Sequence, residues 1–155
     1  FFCVYIFMFF KSVTDILDKA QTLNETTAWT VSIDNGVQNK IIELNTIEQL
    51  FNEGVDALGN SLGNYSQTSV EVFGKRAGHI TLKDTSDFYN SFVVLVKKDS
   101  FVIRANTFKQ GETGTVDLTD RFGDKIIGLT KENIAIVSYL IMINIVKYVK
   151  KHLGI

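Results

Sequence analysis

Between Ile134 and Val149 the chain reads IAIVSYLIMINIVKYV, apolar on nearly every side of a helix and broken only by Ser138, Asn144 and Lys147. A helix that is apolar all round needs cover on all sides, from a large core, a bilayer or another subunit. Thr130 is a good N-cap with Glu132 in the first turn, so the helix is predicted to start there. It should run to about His152, and Lys147, Lys150 and Lys151 suit its C-terminal end. The apolar run is short for a bilayer, which needs about 20 residues, and it carries Asn144. An oligomeric interface is therefore the expectation, with Ile141 and Ile145 as candidate contact residues.

The rest of the composition fits one domain spanning 1–155. A chain of this size buries roughly 70% of the surface it exposes when unfolded. It has no proline, so nothing of that kind interrupts a long helix. Net charge is −1, from 16 basic and 17 acidic residues, which argues against nucleic acid or an anionic membrane as a partner. With Cys3 alone no internal disulfide can form, and the fold should not depend on oxidation.

The first ten residues, FFCVYIFMFF, are an apolar run. It is about half the length of a spanning helix, and it lacks the basic flank and small-residue cleavage site of a signal peptide. It reads as an apolar arm, 1–10, packed on a neighbouring subunit or on its own core. A start at Met8 would make Phe1–Phe7 an upstream extension. Phe9, Phe10, Val13, Ile16, Leu17, Ala20 and Leu23 recur at three-four spacing and predict an amphipathic helix. Asn24, with Thr26 or Thr27, offers a stop and a new N-cap. One long helix then fits Trp29, Ile33, Val37, Ile41, Leu44, Ile47 and Phe51, weakened in the middle by Asn35-Gly36, where it can kink.

Glycines punctuate 54–78, a loop region with one short strand expected at Ser69–Phe73. A short helical turn follows from Asp84 to Asn90, capped by Asp84 or Thr85. Two β-rich runs, Ser91–Val96 and Phe101–Ala105, surround Lys97-Lys98-Asp99-Ser100 and predict a hairpin. The polar stretch 107–116, TFKQGETGTV, reads as an exposed loop and docking element. The fold class is α+β: long N-terminal helices, a central antiparallel hairpin with a short helix, and a hydrophobic C-terminal helix.

No residue pattern demands catalysis, a cofactor or a metal. Gly54 to Ser61 nearly spells a phosphate-binding loop, but Asn60 stands where the lysine must be. Its glycines are better explained by tight turns. His79 and His152 stand without metal-ligand spacing and read as surface or capping residues. Asp84 and Asp87 are three apart, and paired carboxylates can do acid–base work, but capping explains them more simply. Lys75-Arg76 and Lys97-Lys98 are small basic points on a solvated surface. Phe88 and Phe92 share a helical face and should pack in the core.

Two segments carry a family likeness. Thr81–Phe92 reads TLKDTSDFYNSF and is followed by the predicted hairpin; Ile126–Asn133 reads IIGLTKEN and opens the last helix. Segments of these types, in this order, resemble the virion morphogenesis and tail-completion proteins of tailed phages. Ser86 stands where that family usually has glycine. The resemblance implies a non-enzymatic virion protein of the neck, assembled in the bacterial cytoplasm. It implies a homo-oligomeric ring, usually sixfold, meeting neighbouring neck and tail-tube proteins. Candidate interface residues are Thr107, Phe108, Lys109, Gln110, Glu112 and Thr113 of the exposed loop, Lys75 and Arg76, and Ile141 and Ile145. The rival reading is a membrane-associated protein anchored by the apolar N-terminal run or the C-terminal helix.

Overall fold

The computed structural model describes residues 2–111 and 114–155, with the backbone alone for 2–11 and 111. The chain is an α+β protein. Helix α1 spans Phe2–Gln21, so the predicted arm is the first half of a helix, whose side chains lie outside the described ones. Helix α2 spans Glu25–Ser32 with Asn24 as its cap, accepting from the Thr27 amide at 2.9 Å.

The single long helix expected next is broken. Asp34 caps a new helix, α3, over Asn35–Glu43, its carboxylate accepting from the Val37 amide at 2.9 Å. Asn35-Gly36 therefore lies in a first turn, where glycine costs little, rather than in a helix middle. The chain then widens into a π-helix, Leu44–Glu53. Near its start the Thr46 hydroxyl donates to the Ile42 carbonyl at 2.7 Å, a side-chain bond that competes with the backbone ladder.

The glycine-rich region holds a short helix, α4, Gln67–Glu71, where a strand was expected. Ser66 caps it by accepting from the Ser69 amide, and that local bond decides for the helix. Helix α5, Asp87–Asn90, has neither Asp84 nor Thr85 as its cap: Ser86 takes that position with φ +71°. This is the left-handed region that favours glycine, at the motif position where the resembled family carries one.

Strands β1 (Val93–Val96) and β2 (Phe101–Arg104) pair antiparallel with Val94 opposite Ile103, as the sequence predicts. The expected loop 107–116 is instead a second hairpin. Its strands β3 (Phe108–Gly111) and β4 (Gly114–Asp117) pair Lys109 with Val116. Helix α6 spans Leu118–Phe122, and α7, Lys131–Leu153, closes the chain with Thr130 as its cap.

The core has two parts. Ile33, Val37 and Ile41 meet Val94, Val137 and Ile141 in one; Leu50, Phe88, Tyr89, Phe92 and Ile126 form the other. Phe88 and Phe92 stack edge to face at 5.0 Å, the core pair the sequence expected. Between the two lies an amide clasp. Asn45, fully buried, donates to the Ile126 carbonyl at 3.2 Å and accepts from the Gly128 amide at 2.9 Å. Gln49, also fully buried, donates to the Gly128 carbonyl at 2.9 Å and accepts from Thr130 N–H at 2.9 Å and Asn133 Nδ2 at 2.8 Å. Two side chains one π-turn apart thus do for the IIGLTKEN segment what a neighbouring strand would do.

Candidate docking surfaces

The second hairpin leans over the glycine-rich region and forms a cleft of about 330 Å³ with α4 and α6. Apolar Phe73, Leu82, Val116 and Phe122 line it beside Lys75, Lys109 and Arg121. Asp84 stands at its edge and receives both Lys75 and Lys109. Lys75 follows α4 and Lys109 lies on β3, so one carboxylate ties the hairpin to the body. The two partners are 9 and 25 positions away in the chain, and no local spacing announces them.

First the Lys109 ammonium and then that of Lys75 hold the Asp84 carboxyl down, from 3.8 to about 2. A depressed folded pKa means the latch stabilises above pH 3.8 and is lost as pH falls toward 2. With the Asp84 side chain 41% exposed, solvent screens the pairs, and each is worth at most about 1 kcal/mol. Asp84→Asn should therefore leave global melting nearly unchanged but loosen the hairpin. Hydrogen exchange of the β3 and β4 amides should speed up severalfold in the variant, and in the native protein as pH is lowered from 5 to 2.5 after correction for intrinsic rates. Equal protection in both proteins would show the latch to be inert. Asparagine replaces a cap but not a charge, so this outcome differs from the one expected had Asp84 capped α5.

Two backbone positions at the cleft are strained. Leu82, in its wall, has φ +56°, and Ser86 has φ +71°. A non-glycine residue in that region costs about 1–2 kcal/mol. Leu82 is held by packing on the second core cluster, and the Tyr89 hydroxyl donates to the preceding carbonyl, Thr81 O. Burial pushes the Tyr89 phenol pKa up, so this donor stays protonated. Where β4 ends, Asp117 caps α6, and the Thr119 amide and hydroxyl hold its carboxyl below the usual range.

The predicted interface residues separate into groups. Lys75 and Lys109 come together on Asp84. Arg76 and Gln110 are exposed, Thr107 is half-buried, and Phe108 is 63% exposed on the side of the hairpin away from Lys109. Glu112 and Thr113 lie outside the described residues. Ile141 is a correction: it is 5% exposed and sits in the first core cluster. Ile145 packs partly buried against the same cluster. The buried stripe of α7 is Asn133, Val137 and Ile141, turned toward α2 and α3. A helix apolar all round gives no signal of which stripe faces in, and the apolar residues left exposed lie on the opposite side. There Ile136, Tyr139, Met142 and Val146 are exposed. Val72, and Phe73 in the cleft wall, are further exposed apolar residues.

The near-phosphate loop is occupied from within. The Asp56 carboxylate accepts from the Leu58 and Asn60 amides, both at 2.8 Å, so the amides a phosphate would need are taken. His79 is a packing residue, its Nε2 2.9 Å from the Phe51 carbonyl. His152 Nε2 lies 2.9 Å from Thr22 Oγ1 and 3.0 Å from the Lys19 carbonyl, where α7 meets the end of α1. Among the described residues no group of His, Cys, Asp and Glu is placed to hold a metal ion. The chain matches no protein-family model, no curated protein and no solved structure.

Proposed function

We propose that this protein is a structural subunit of a tailed-phage neck, a tail-completion or head–tail joining protein that acts by assembling into a ring. The order of the TLKDTSDFYNSF and IIGLTKEN segments is what suggests the family. The observation that carries an assembly role is the latched hairpin, which displays Phe108, 63% exposed, from a two-stranded element anchored at one carboxylate. An exposed aromatic on a short hairpin is a ready contact for a neighbour. Hairpin on one subunit and apolar acceptor on the next is a heterologous contact, the kind that closes into rings.

Phe108→Asp should leave the fold intact, since that side chain faces solvent, and should sharply reduce the fraction of heads joined to tails in negative-stain counts of assembling particles. Absence of the protein from purified virions would end the reading. Membrane association is the second reading, because α7 is long and apolar enough to cross a bilayer. Against spanning stands its inner stripe: Val137 and Ile141 belong to the core, and Asn144 Nδ2 donates to the Ser32 carbonyl at 3.0 Å. Retention in carbonate-washed membranes would favour that reading over the first.

A further inference from the structure

The outer stripe of α7 has a second regularity. Ala135, Tyr139, Met142, Val146 and Val149 follow one another at intervals of four, three, four and three, the spacing of a two-helix seam. Ala135 is exposed, and Tyr139, Met142 and Val146 are 60%, 52% and 47% exposed, so nothing in the described structure covers the first four of them. Ile136 and Ile143 flank the stripe on one side. On that same flank Glu132 stands near one end of the helix and Lys150 near the other.

We infer that the occupant of this face is a second copy of the same helix, packed antiparallel about a twofold axis. The register follows from the residues. With the axis between Leu140 and Ile141, Ala135 faces Val146 of the second copy and Tyr139 faces Met142, small against branched and flat against flexible. The same register brings Glu132 beside Lys150 of the second copy, and symmetry repeats that pair at the other end. Parallel packing would instead bring the two lysine-rich last turns, with Lys147, Lys150 and Lys151, to the same end of the pair. The helix dipoles also favour the antiparallel arrangement. The contact is isologous and closes at two copies. It cannot by itself build a ring, it uses none of the hairpin residues, and it does not depend on the neck reading.

Sedimentation equilibrium of the full chain should give twice the 17.4 kDa monomer mass at micromolar concentration. Glu132→Lys or Lys150→Glu alone should weaken dimerisation by about tenfold, through two symmetry-related pairs turned repulsive. The double variant Glu132→Lys/Lys150→Glu should restore it. In a Cys3→Ser background, Ala135→Cys and Val146→Cys chains should form disulfides when mixed and not separately. Glu132, Ala135, Val146 and Lys150 are all exposed, and unchanged far-UV circular dichroism checks the fold. A monomer at every concentration, disulfides between like variants, or no rescue by the double swap would overturn the antiparallel pair. So would a monomer that binds vesicles of phosphatidylcholine and phosphatidylglycerol, which would give the face to lipid. These readouts are taken on purified protein, whereas the neck reading fails or stands on virion content.

Discussion

Gln49→Ala is expected to destabilise the protein by about 4 kcal/mol, because it strands two buried donors and a half-buried carbonyl at once, each worth about 1–3 kcal/mol when unsatisfied. They are the Thr130 amide, Asn133 Nδ2 and the Gly128 carbonyl. The side chain is fully buried, so solvent does not readily replace it. At this chain length that loss lowers the melting temperature by about 8–16 °C. Gln49→Glu separates shape from hydrogen bonding. It keeps the acceptor for Thr130 and Asn133 but turns a second acceptor toward the Gly128 carbonyl. A carboxyl buried there has its pKa raised, so the variant's deficit should be smallest at low pH and grow as pH rises above the ordinary glutamate value of about 4.3. Thermal melts followed by circular dichroism between pH 4 and 8 measure both. A shift below about 3 °C for Gln49→Ala would show that water enters and satisfies the clasp.

That clasp marks the limit of what periodicity reveals. The apolar spacing of Val13 to Leu23, the alternation around Lys97–Ser100 and the cap at Thr130 are local signals, and the elements they predict are present. The break at Asp34 was also local, but a cap and an apolar stripe competed there. The stripe continues through Ile33, Val37 and Ile41 in both cases, since a new helix can keep the same inward face. Asn45 and Gln49 fall between the apolar positions of that stretch and carry no apolar signal. They are buried because their partners, Ile126 to Asn133, arrive from about 80 positions away. Polar residues on a helix are read as exposed unless the chain that satisfies them is known.

The docking surfaces were legible in the same uneven way. Lys75 and Lys109 could be named as basic points, but Asp84 as their common partner could not, since ion pairs between loops leave no spacing. The polar composition of 107–116 concealed a hairpin, because Gln110 and Thr115, paired across it and exposed, suit a ribbon as well as a loop. Ser86 was visible as a departure from glycine, and its φ of +71° supplies the physical reason that glycine suits the position.

Gly54→Ala is the second large effect, with an expected loss of about 3 kcal/mol. Gly54 ends the π-helix at φ +66°, where a side chain costs about 1–2 kcal/mol. A Cβ added there would lie 2.5 Å from His79 Cδ2, 2.7 Å from Cγ and 2.8 Å from Cβ. The ring cannot simply step aside. Its Nε2 is held 2.9 Å from the Phe51 carbonyl, and the His79 backbone bridges to Asn64. Moving it forfeits that bond, worth about 1 kcal/mol, while Leu62 N–H must keep its 2.8 Å bond to the Gly54 carbonyl. Gly59→Ala is the control: φ is +80° there too, but nothing lies within 4 Å of an added Cβ. It should lose only the backbone part, about 1 kcal/mol after the gain from a less flexible unfolded chain. The two contributions at Gly54 separate in a double-mutant cycle. His79→Ala alone should cost about 1 kcal/mol, and in that background Gly54→Ala should cost less than in the native protein but still more than Gly59→Ala, because the 2.8 Å approach to the Cβ of residue 79 remains. The resulting coupling, about 1 kcal/mol of non-additivity, is the clash with the imidazole ring. Additive losses in urea melts would mean the ring moves freely, and that Gly54 is required for its backbone angle and for the close approach of the residue-79 Cβ.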